Sequence, residues 1–189
     1  MNIGFAMCGS FCTFQSVFPA MEIVAGTHNV IPILSTSVCN IDCRFGTAQA
    51  HREQISNICG KQPLCTIEEV EPIGPKKLLD VLIIAPCTGN TLAKLAHSIA
   101  DTPVTMAAKS HLRNGRPVLI AVSTNDALAG AAENIGRLLA RKHYYFVPFG
   151  QDDPVKKPTS MVADFSKIPE ALAQVLEGKQ LQPMLCSPC

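Results

Sequence analysis

The sequence has little charge and no long apolar segment, and each shortage excludes a class of function. Charged residues make up 16% of the 189 residues, and the formal net charge is +1. A balance this close to neutral provides no electrostatic footprint for nucleic acid or for an anionic membrane surface. No stretch reaches the roughly 18 to 20 apolar residues of a membrane span, and the first ten residues lack the basic segment of a signal peptide. We therefore expect a cytoplasmic protein.

Two common phosphate-binding signatures are also missing. No Gly-Lys-Ser/Thr sequence follows Gly4, which excludes a Walker motif at that glycine. The Gly-x-Gly-x-x-Gly fingerprint of dinucleotide-binding proteins does not occur either. If the chain binds a phosphorylated cofactor, other residues must hold the phosphate.

Cysteine, in contrast, is abundant, with nine residues. The odd number and the reducing cytosol favour free thiols over a disulfide framework. The pairs Cys39 with Cys43 and Cys186 with Cys189 could in principle form a tetrahedral zinc site, but they lie at opposite ends of the chain. We expect buried thiols that act as small hydrophobic side chains, and no metal site.

Short apolar runs alternate with segments of 3.6-residue periodicity, a pattern typical of a parallel sheet with helices on both faces. Strands are predicted at 2–8, 30–35, 81–85, 117–123 and 144–149. Helices are predicted at 14–26, with an interruption near Pro19, at 47–59, closed by Gly60, and at 90–100, 103–112, 126–141 and 168–177. An irregular stretch is expected between the second strand and the second helix.

These elements predict one α/β domain over residues 1–189, with a three-layer Rossmann-like fold and a parallel sheet of about five or six strands. Residues 150–189 are expected to form an extended arm and a short C-terminal helix, because proline and charged residues follow Gly150. The hydrophobic fraction of 47% is high for a monomer of this size, and oligomer interfaces would explain the surplus.

Small polar turns follow four of the predicted strands: CGSFCT, STS, APCTGNT and VSTND. In an open parallel sheet, ligands bind at the carboxyl ends of the strands, near the point where strand order reverses. Gly9 and Ser10 open a helix whose N–H groups suit a phosphate, although both residues are equally common in plain turns. Capping the next helix needs one polar residue, whereas Thr88, Asn90 and Thr91 supply three, which favours a ligand at this turn.

The stretch APCTGNTLAKLAHSIAD, residues 85–101, resembles the signature of a flavin mononucleotide (FMN)-binding flavoprotein family. This family includes the homo-oligomeric flavin-containing cysteine decarboxylases. Segments along essentially the whole chain resemble one branch of it: CGSFCTF, EPIGPKKLLD, TMAAKSHLRNGRPV and YYFVPFGQDDPVKKP. The resemblance implies FMN as the cofactor, a homo-oligomer, and a partner subunit similar to a nicotinamide-dependent dehydrogenase.

The resemblance also implies which residues contact the flavin. The ribityl phosphate end would be held by Gly9, Ser10, Cys12 and Thr13, with further phosphate or ribityl contacts from Ser35 and Ser37. The isoalloxazine ring would be bordered by Pro86, Thr88, Asn90 and Thr91, and the pocket completed by Ser123 and Asn125. Neutral hydroxyl, amide and N–H groups suit a phosphate that already meets a helix dipole.

In this branch the two-subunit enzyme oxidises a small cyclic dicarboxylate in the mother cell of a sporulating bacterium. A dicarboxylate carries two negative charges and needs cationic side chains to bind it. Arg44 is our candidate for this role, and the alternative is that Arg44 is an ordinary solvated arginine. No residue is identified as a catalytic acid or base, and His51 is expected to be an exposed helix residue. A non-catalytic flavin-binding partner that stabilises or activates the other subunit is an equally compatible function.

Decarboxylation is less compatible with the sequence. The decarboxylases of this family hold their substrate with a Pro-x-Met-Asn-x-x-Met-Trp clamp. The corresponding strand end here reads VSTNDAL, and the chain contains no tryptophan.

Overall fold

A seven-stranded mixed sheet organises the fold, which a computed structural model describes for residues 1–186. The strands are β1 (Asn2–Met7), β2 (Asn29–Leu34), β3 (Val81–Cys87), β4 (Val118–Thr124), β5 (Tyr144–Phe146), β6 (Phe149–Asp153) and β7 (Lys157–Ala163). The α-helices are α1 (Phe14–Thr27), α2 (Thr36–Asn40), α3 (Ala48–Cys59), α4 (Ile67–Val70), α5 (Gly89–Ala96), α6 (Pro103–Leu112), α7 (Ala132–Leu139) and α8 (Ile168–Leu176).

Five strands are parallel, in the order β2-β1-β3-β4-β5, and the strand order reverses between β1 and β3. β5 pairs with the first half of β4, and β7 pairs antiparallel with its last residues, Ser123 and Thr124. β6 lies outside β7. Helices α1, α3 and α8 pack together, and α5 packs with α6 and α7, so two helical layers enclose the sheet. The predicted three-layer Rossmann-like fold is confirmed.

The central strands are apolar because they are buried on both faces. All seven residues of β3 are buried, as are six of the seven in β4. Parallel sheets covered by helices require such continuous apolar runs, which is why the sequence identifies these strands clearly. No helix within residues 1–186 combines the length and the apolar character needed to cross a bilayer.

Helix α1 continues through Pro19, where the sequence predicts an interruption. Pro19 lies on the exposed face of α1, whereas Val17, Phe18 and Met21 are buried. Proline removes the hydrogen bond to the carbonyl four residues earlier, that of Gln15. Gln15 is exposed, so water can satisfy its carbonyl while the buried face holds the helix together.

Two segments that were predicted to be irregular or extended are regular. After β2, Ser35 caps the short helix α2 by accepting a hydrogen bond from the N–H of Val38. The predicted arm after residue 150 is instead the β6–β7 hairpin, which brings the sheet to seven strands. Its turn is closed by the Asp153 carboxylate, which accepts hydrogen bonds from the N–H groups of Val155 and Lys156.

The predicted helix at 126–141 is shorter than expected, and a second short helix besides α2 was missed. Residues 125–131 form turns in which the carbonyl of Asp126 accepts hydrogen bonds from two N–H groups, and α7 begins only at Ala132. Helix α4 is a single turn with a capping box between Thr66 and Glu69, too short for a periodic pattern.

The expectation that every cysteine is a free thiol is wrong for two residues. Cys39 and Cys65 form a disulfide, with their Cα atoms 6.2 Å apart. The prediction was based on the reducing cytosol, which contains no information on the contact between α2, which carries Cys39, and the segment before α4, which carries Cys65. Cys8 and Cys87 are buried free thiols, as expected. Within residues 1–186 no three histidine, cysteine or acidic residues form a metal site, and Cys189 lies outside the described residues.

Buried His111 should make the stability of the fold depend on pH. Its imidazole is 1% exposed, and its Nε2 lies 3.0 Å from the carbonyl oxygen of Pro117. Burial, reinforced by the charge of Arg116, lowers the pKa of His111 to about 4. The unfolded state, with a pKa near 6.5, then binds more protons between the two values. Stability present above pH 6.5 is therefore lost as the pH falls towards 4, by up to roughly 3 kcal/mol from this group.

The substitution His111→Gln should reduce this pH dependence. We expect the variant to lose less unfolding free energy than the parent protein between pH 7 and pH 4.5, measured by urea denaturation. His28→Gln, at the end of α1, is the matched control and should follow the parent profile. Parallel profiles for the parent and His111→Gln proteins would contradict the assignment.

Candidate functional site

A cleft of about 830 Å³ opens at the carboxyl ends of the central strands. Its walls come from the turns after β1, β3 and β4, the start of α1, the loop before α3, and the β6–β7 hairpin. Eight residues proposed from the sequence line it: Gly9, Ser10, Cys12, Thr13, Arg44, Thr88, Ser123 and Asn125. The cleft therefore lies beside the point where strand order reverses, where ligands bind in open α/β sheets.

Direct hydrogen bonds join the three turns. The hydroxyl groups of Ser10 and Ser123 lie 2.8 Å apart, which links the turn after β1 to the end of β4. The N–H of Cys8 donates to the carbonyl of Pro86 at 3.2 Å, which links the same turn to β3. The floor of the cleft is consequently fixed by contacts between three neighbouring strands.

The start of the first helix presents unpaired backbone donors to the cleft. A 3-10 turn at Phe11–Thr13 leads into α1, and the N–H groups of Gly9, Phe11 and Cys12 have no acceptor among residues 1–186. A Cβ atom on Gly9 would lie 3.4 Å from Cβ of Ser37 and 3.5 Å from the Phe11 ring. Unpaired N–H groups at the positive end of a helix are a suitable binding site for a phosphate or another anion.

The turn after β3 uses its hydroxyl groups partly for its own structure. Thr88 caps α5 by accepting a hydrogen bond from the N–H of Thr91 at 3.4 Å. The Thr91 hydroxyl is 3.1 Å from that of Thr88 and donates to the sulfur of Cys8 at 3.3 Å. Because Thr91 is only 8% exposed, its side chain supports the cleft from behind.

Five residues proposed from the sequence lie beside the cleft but not on its wall: Ser35, Ser37, Pro86, Asn90 and Thr91. Ser35 caps α2, and its N–H donates to the carbonyl of Met7. Pro86 is buried in β3, and Asn90 is exposed on the first turn of α5. The structure thus brings the four predicted turns together, although only some of their residues face the cleft.

The hairpin supplies a wall that the sequence did not predict. Lining residues from the hairpin and the segment after it include Asp152, Lys157, Ser160, Val162, Asp164 and Phe165. The hairpin is attached to the turn after β4 because the Thr159 hydroxyl donates to the carbonyl of Asn125 at 2.7 Å. The only available signal was the segment FGQDDPVKKP, which carries the family resemblance but no strand-like apolar run.

Two basic side chains, Arg44 and Lys157, line the cleft. Lys157 is paired with Asp152, with its Nζ 2.6 Å from Oδ2. Arg44 lies 4.7 Å from the centre of the Phe45 ring and has no ion-pair partner within residues 1–186. Arg44 is therefore the cation on the cleft wall that remains available to a ligand.

His51 is buried, and the expectation that it would be exposed is wrong. Its ring is 4% exposed and lies 5.0 Å from the ring of Phe14 and 5.7 Å from that of Phe11. Burial lowers the pKa of His51, and its Nε2 has no hydrogen-bond partner among the described residues. The prediction was based on how often histidine is exposed in proteins, and that frequency contains no information on the packing of α3 against α1, which buries this side chain. His51 supports the wall through Phe11 and does not line the cleft.

Comparison with known proteins identifies relatives along nearly the whole chain. Residues 5–173 match the Flavoprotein family. The chain is 44% identical over 185 residues to the B subunit of dipicolinate synthase from Bacillus subtilis (strain 168), covering 97% of this chain and 92% of that protein.

Solved structures agree with this relationship. The crystal structure of the dipicolinate synthase B subunit from Bacillus halodurans is 41% identical, with a TM-score of 0.91 over 100% of this chain and 97% of that chain. The FMN-dependent cysteine decarboxylase SpaF is 25% identical, with a TM-score of 0.66 over 92% of this chain and 96% of that one. The flavoprotein resemblance seen in the sequence is confirmed.

The turn after β3 leaves no room for a side chain at Gly89. A Cβ atom there would lie 2.7 Å from Oγ1 of Thr124 and 2.8 Å from Oδ1 of Asp126, which are themselves hydrogen-bonded at 2.5 Å. We expect Gly89→Ala to lower the unfolding free energy by about 1 to 3 kcal/mol, as overpacking typically does. Chemical denaturation followed by circular dichroism would measure the change.

Gly26 provides the matched control, because a Cβ atom there meets nothing within 4 Å and the residue lies in α1. Gly26→Ala should stabilise the protein by up to about 1 kcal/mol through helix propensity. Equal stabilities for the Gly89→Ala and parent proteins would show that the turn is not closely packed against the end of β4.

Proposed function

The chain belongs to the Flavoprotein family, and on this basis we propose that it binds FMN in the cleft as the flavoprotein subunit of a dipicolinate synthase. In this proposal it takes part in the oxidation of dihydrodipicolinate to dipicolinate during sporulation, in the cytoplasm of the mother cell. The observation that carries the proposal is the row of unpaired N–H groups at the start of α1. These groups face a cleft beside the point where strand order reverses. The chain that contains this cleft is 44% identical to a dipicolinate synthase B subunit.

The phosphate end of FMN fits the turn after β1. The unpaired N–H groups of Gly9, Phe11 and Cys12 would donate to the phosphate oxygens, and the hydroxyl groups of Ser10 and Thr13 lie on the same wall. Helix N-termini bind phosphate without a basic side chain, because the N–H groups and the helix dipole supply the positive potential. Ser37 lies behind Gly9, where it would limit the space around the phosphate.

The rest of the cleft fits the flavin ring. Its volume of about 830 Å³ falls within the range of cofactor sites, roughly 300 to 1,000 Å³. Thr88 and Ser123 offer neutral hydroxyl groups at the strand ends, and Val162 and Phe165 offer apolar surface on the hairpin side. A mostly apolar pocket with a few placed polar groups is typical of small-molecule sites.

The proposed substrate is a dicarboxylate, and Arg44 would bind one of its carboxylates. The guanidinium group presents a planar fork of donors that matches a carboxylate, and it is held over the ring of Phe45 at the cleft. Lys157 lies on the hairpin side of the same cleft, where Asp152 already neutralises it. We therefore assign substrate binding to Arg44 alone.

When bound, the flavin would supply the capacity to accept a hydride or electrons, and the protein would position the reactants. The buried thiols of Cys8 and Cys87 are not suited to covalent catalysis, since burial raises the pKa of Cys8 to about 11 and that of Cys87 well above its usual value. Both therefore remain protonated at neutral pH. Among the described residues no histidine lines the cleft, so the roles we assign to the chain are binding and orientation.

The lack of a histidine on the cleft wall, among the described residues, favours one alternative. In this alternative the chain binds flavin and stabilises or activates the partner subunit without itself taking part in the oxidation. Proton transfer in enzymes usually involves histidine or another titratable group, and the acidic residues of this cleft are already bonded. Asp152 pairs with Lys157, and Asp164 accepts hydrogen bonds from Ser166. Decarboxylation is less favoured, because the chain has no tryptophan for the substrate clamp of the decarboxylases.

In this proposal the partner is the A subunit of dipicolinate synthase, and the chain itself assembles as a homo-oligomer. Phe45 at the cleft is 45% exposed, and Val155 at the tip of the hairpin is 89% exposed. Burying such side chains is favourable, by about 25 cal/mol per Å² of apolar surface, so a second subunit seated near the cleft would stabilise the assembly.

Flavin binding is tested by titrating the purified protein with FMN and following absorbance and fluorescence. We expect the parent protein to bind FMN and Gly9→Ala to bind it at least about tenfold more weakly, a change of about 1.4 kcal/mol, since the new methyl group would crowd the phosphate site. Gly136→Ala, in α7 with nothing within 4 Å of the added methyl group, is the control and should bind as the parent does. A parent protein that remains colourless and refuses added FMN would refute the proposal.

The redox role is tested in the complex with the partner subunit, where dihydrodipicolinate oxidation is assayed with and without bound FMN. We expect turnover to be lost when FMN is removed and restored when it is returned. Arg44→Gln should raise the KM for the dicarboxylate by about tenfold or more, the effect of losing a charged contact, while FMN affinity stays unchanged. Activity that persists without FMN would instead support the alternative of a non-catalytic partner.

A further inference from the structure

A second pocket of about 430 Å³ lies at the other end of the sheet. It is formed by the C-terminal end of α5, one face of α6 and the residues that lead into β5. Tyr144, on its wall, pairs with Val118 at the start of β4, whereas Ser123 of the cleft lies five residues further along that strand. At about 3.3 Å per residue the two sites are separated by roughly 17 Å of strand. The second pocket is therefore distinct from the proposed flavin site.

Basic side chains dominate the polar lining of the second pocket. Four of them line it, namely Lys109, Arg141, Lys142 and His143, and no aspartate or glutamate does. None of these four makes an ion pair within residues 1–186. Like charges held around one cavity repel each other unless an anion lies between them. The chain has only 16 lysine and arginine residues, so three of them in one pocket is a marked concentration.

Arg141 is held in place by the backbone. Its two terminal nitrogens donate to the carbonyl groups of Leu95 at 3.1 Å and Ala96 at 2.7 Å, at the C-terminal end of α5. The guanidinium group is therefore oriented before any ligand arrives, which reduces the entropy lost on binding. Lys109 and Lys142 are exposed and able to move towards a bound anion.

The remaining wall is apolar and includes strained backbone. Leu95, Leu112 and Ile99 line the pocket, and Ile99 is 48% exposed. Two lining residues other than glycine have positive φ angles, Ser98 at 60° and His143 at 70°. Such conformations are unfavourable for residues other than glycine and tend to occur at binding sites. An inorganic anion would contact the basic groups and leave the apolar wall exposed to water.

We propose that the second pocket binds a small organic dianion, with its acidic groups against Lys109, Arg141 and Lys142 and its carbon skeleton against Leu95, Ile99 and Leu112. The volume of about 430 Å³ is within the range for small-molecule sites. More than one negative charge is needed to balance three cations, and an apolar body is needed to cover the leucine and isoleucine side chains. The proposal does not depend on flavin binding in the cleft.

The test is isothermal titration calorimetry on the full-length protein with three probes: phthalate as an organic dianion, benzoate as an organic monoanion, and inorganic phosphate. We expect phthalate to bind with a Kd at least about tenfold lower than that of either other probe. Phosphate binding as tightly as phthalate would show that the apolar wall contributes nothing and would overturn the proposal. Absence of phthalate binding at millimolar concentration would also overturn it.

Variants locate the binding. Lys109→Gln with Lys142→Gln should weaken phthalate binding at least about tenfold, and a thermal melt should show that the fold is retained. Lys76→Gln with Lys77→Gln removes the same charge from exposed lysines elsewhere and should bind as the parent does. Arg44→Gln distinguishes binding in the cleft from binding in the second pocket. If phthalate binding is lost in Arg44→Gln but kept in the Lys109/Lys142 variant, phthalate binds in the cleft and the proposal for the second pocket is refuted.

Discussion

The parallel arrangement of β1, β3 and β4 is the constraint on which the cleft depends. Because these strands run in the same direction and pair directly, their carboxyl ends stop at one edge of the sheet. Turns that are far apart in sequence therefore meet, and the contact between Ser10 and Ser123 joins residues 113 positions apart. The burial of β3 on both faces keeps this edge in place, since a shift in register would break the packing of every residue in the strand.

The phosphate end of a cleft built in this way needs no charged side chain. The donors at the start of α1 are backbone N–H groups, and the hydroxyl groups of Ser10, Thr88 and Ser123 are neutral. This arrangement is consistent with a chain in which only 16% of residues are charged. Neutral donors also avoid the desolvation penalty that a buried lysine or arginine would carry before the ligand binds.

The sequence predicts the parts of the molecule that depend on local pattern. The apolar runs of β3 and β4 and the end of α3 at Gly60 follow from residues within a few positions of one another, and the structure contains them. The strand-end rule also predicts that Gly9, Thr88 and Ser123 share one site, and all three line the cleft. The short helices α2 and α4 were missed because each is too short for a periodic pattern, and the larger features that were missed depend on distant partners. The β6–β7 hairpin is polar and gains its place by pairing with β4, Cys39 meets Cys65 across 26 positions, and His51 is buried because α3 packs on α1.

The two pockets offer positive potential by different physical means, and the difference follows from where each lies on the sheet. At the carboxyl end, the helix that follows β1 presents its positive end, so oriented dipoles suffice. At the opposite end, the C-terminal carbonyl groups of α5 face the second pocket and carry the negative end of the helix dipole. An anion there must be held by full charges, and the carbonyl groups must first be neutralised. Arg141 meets both requirements, because it donates to the carbonyl groups of Leu95 and Ala96 while adding its positive charge to the wall of the pocket.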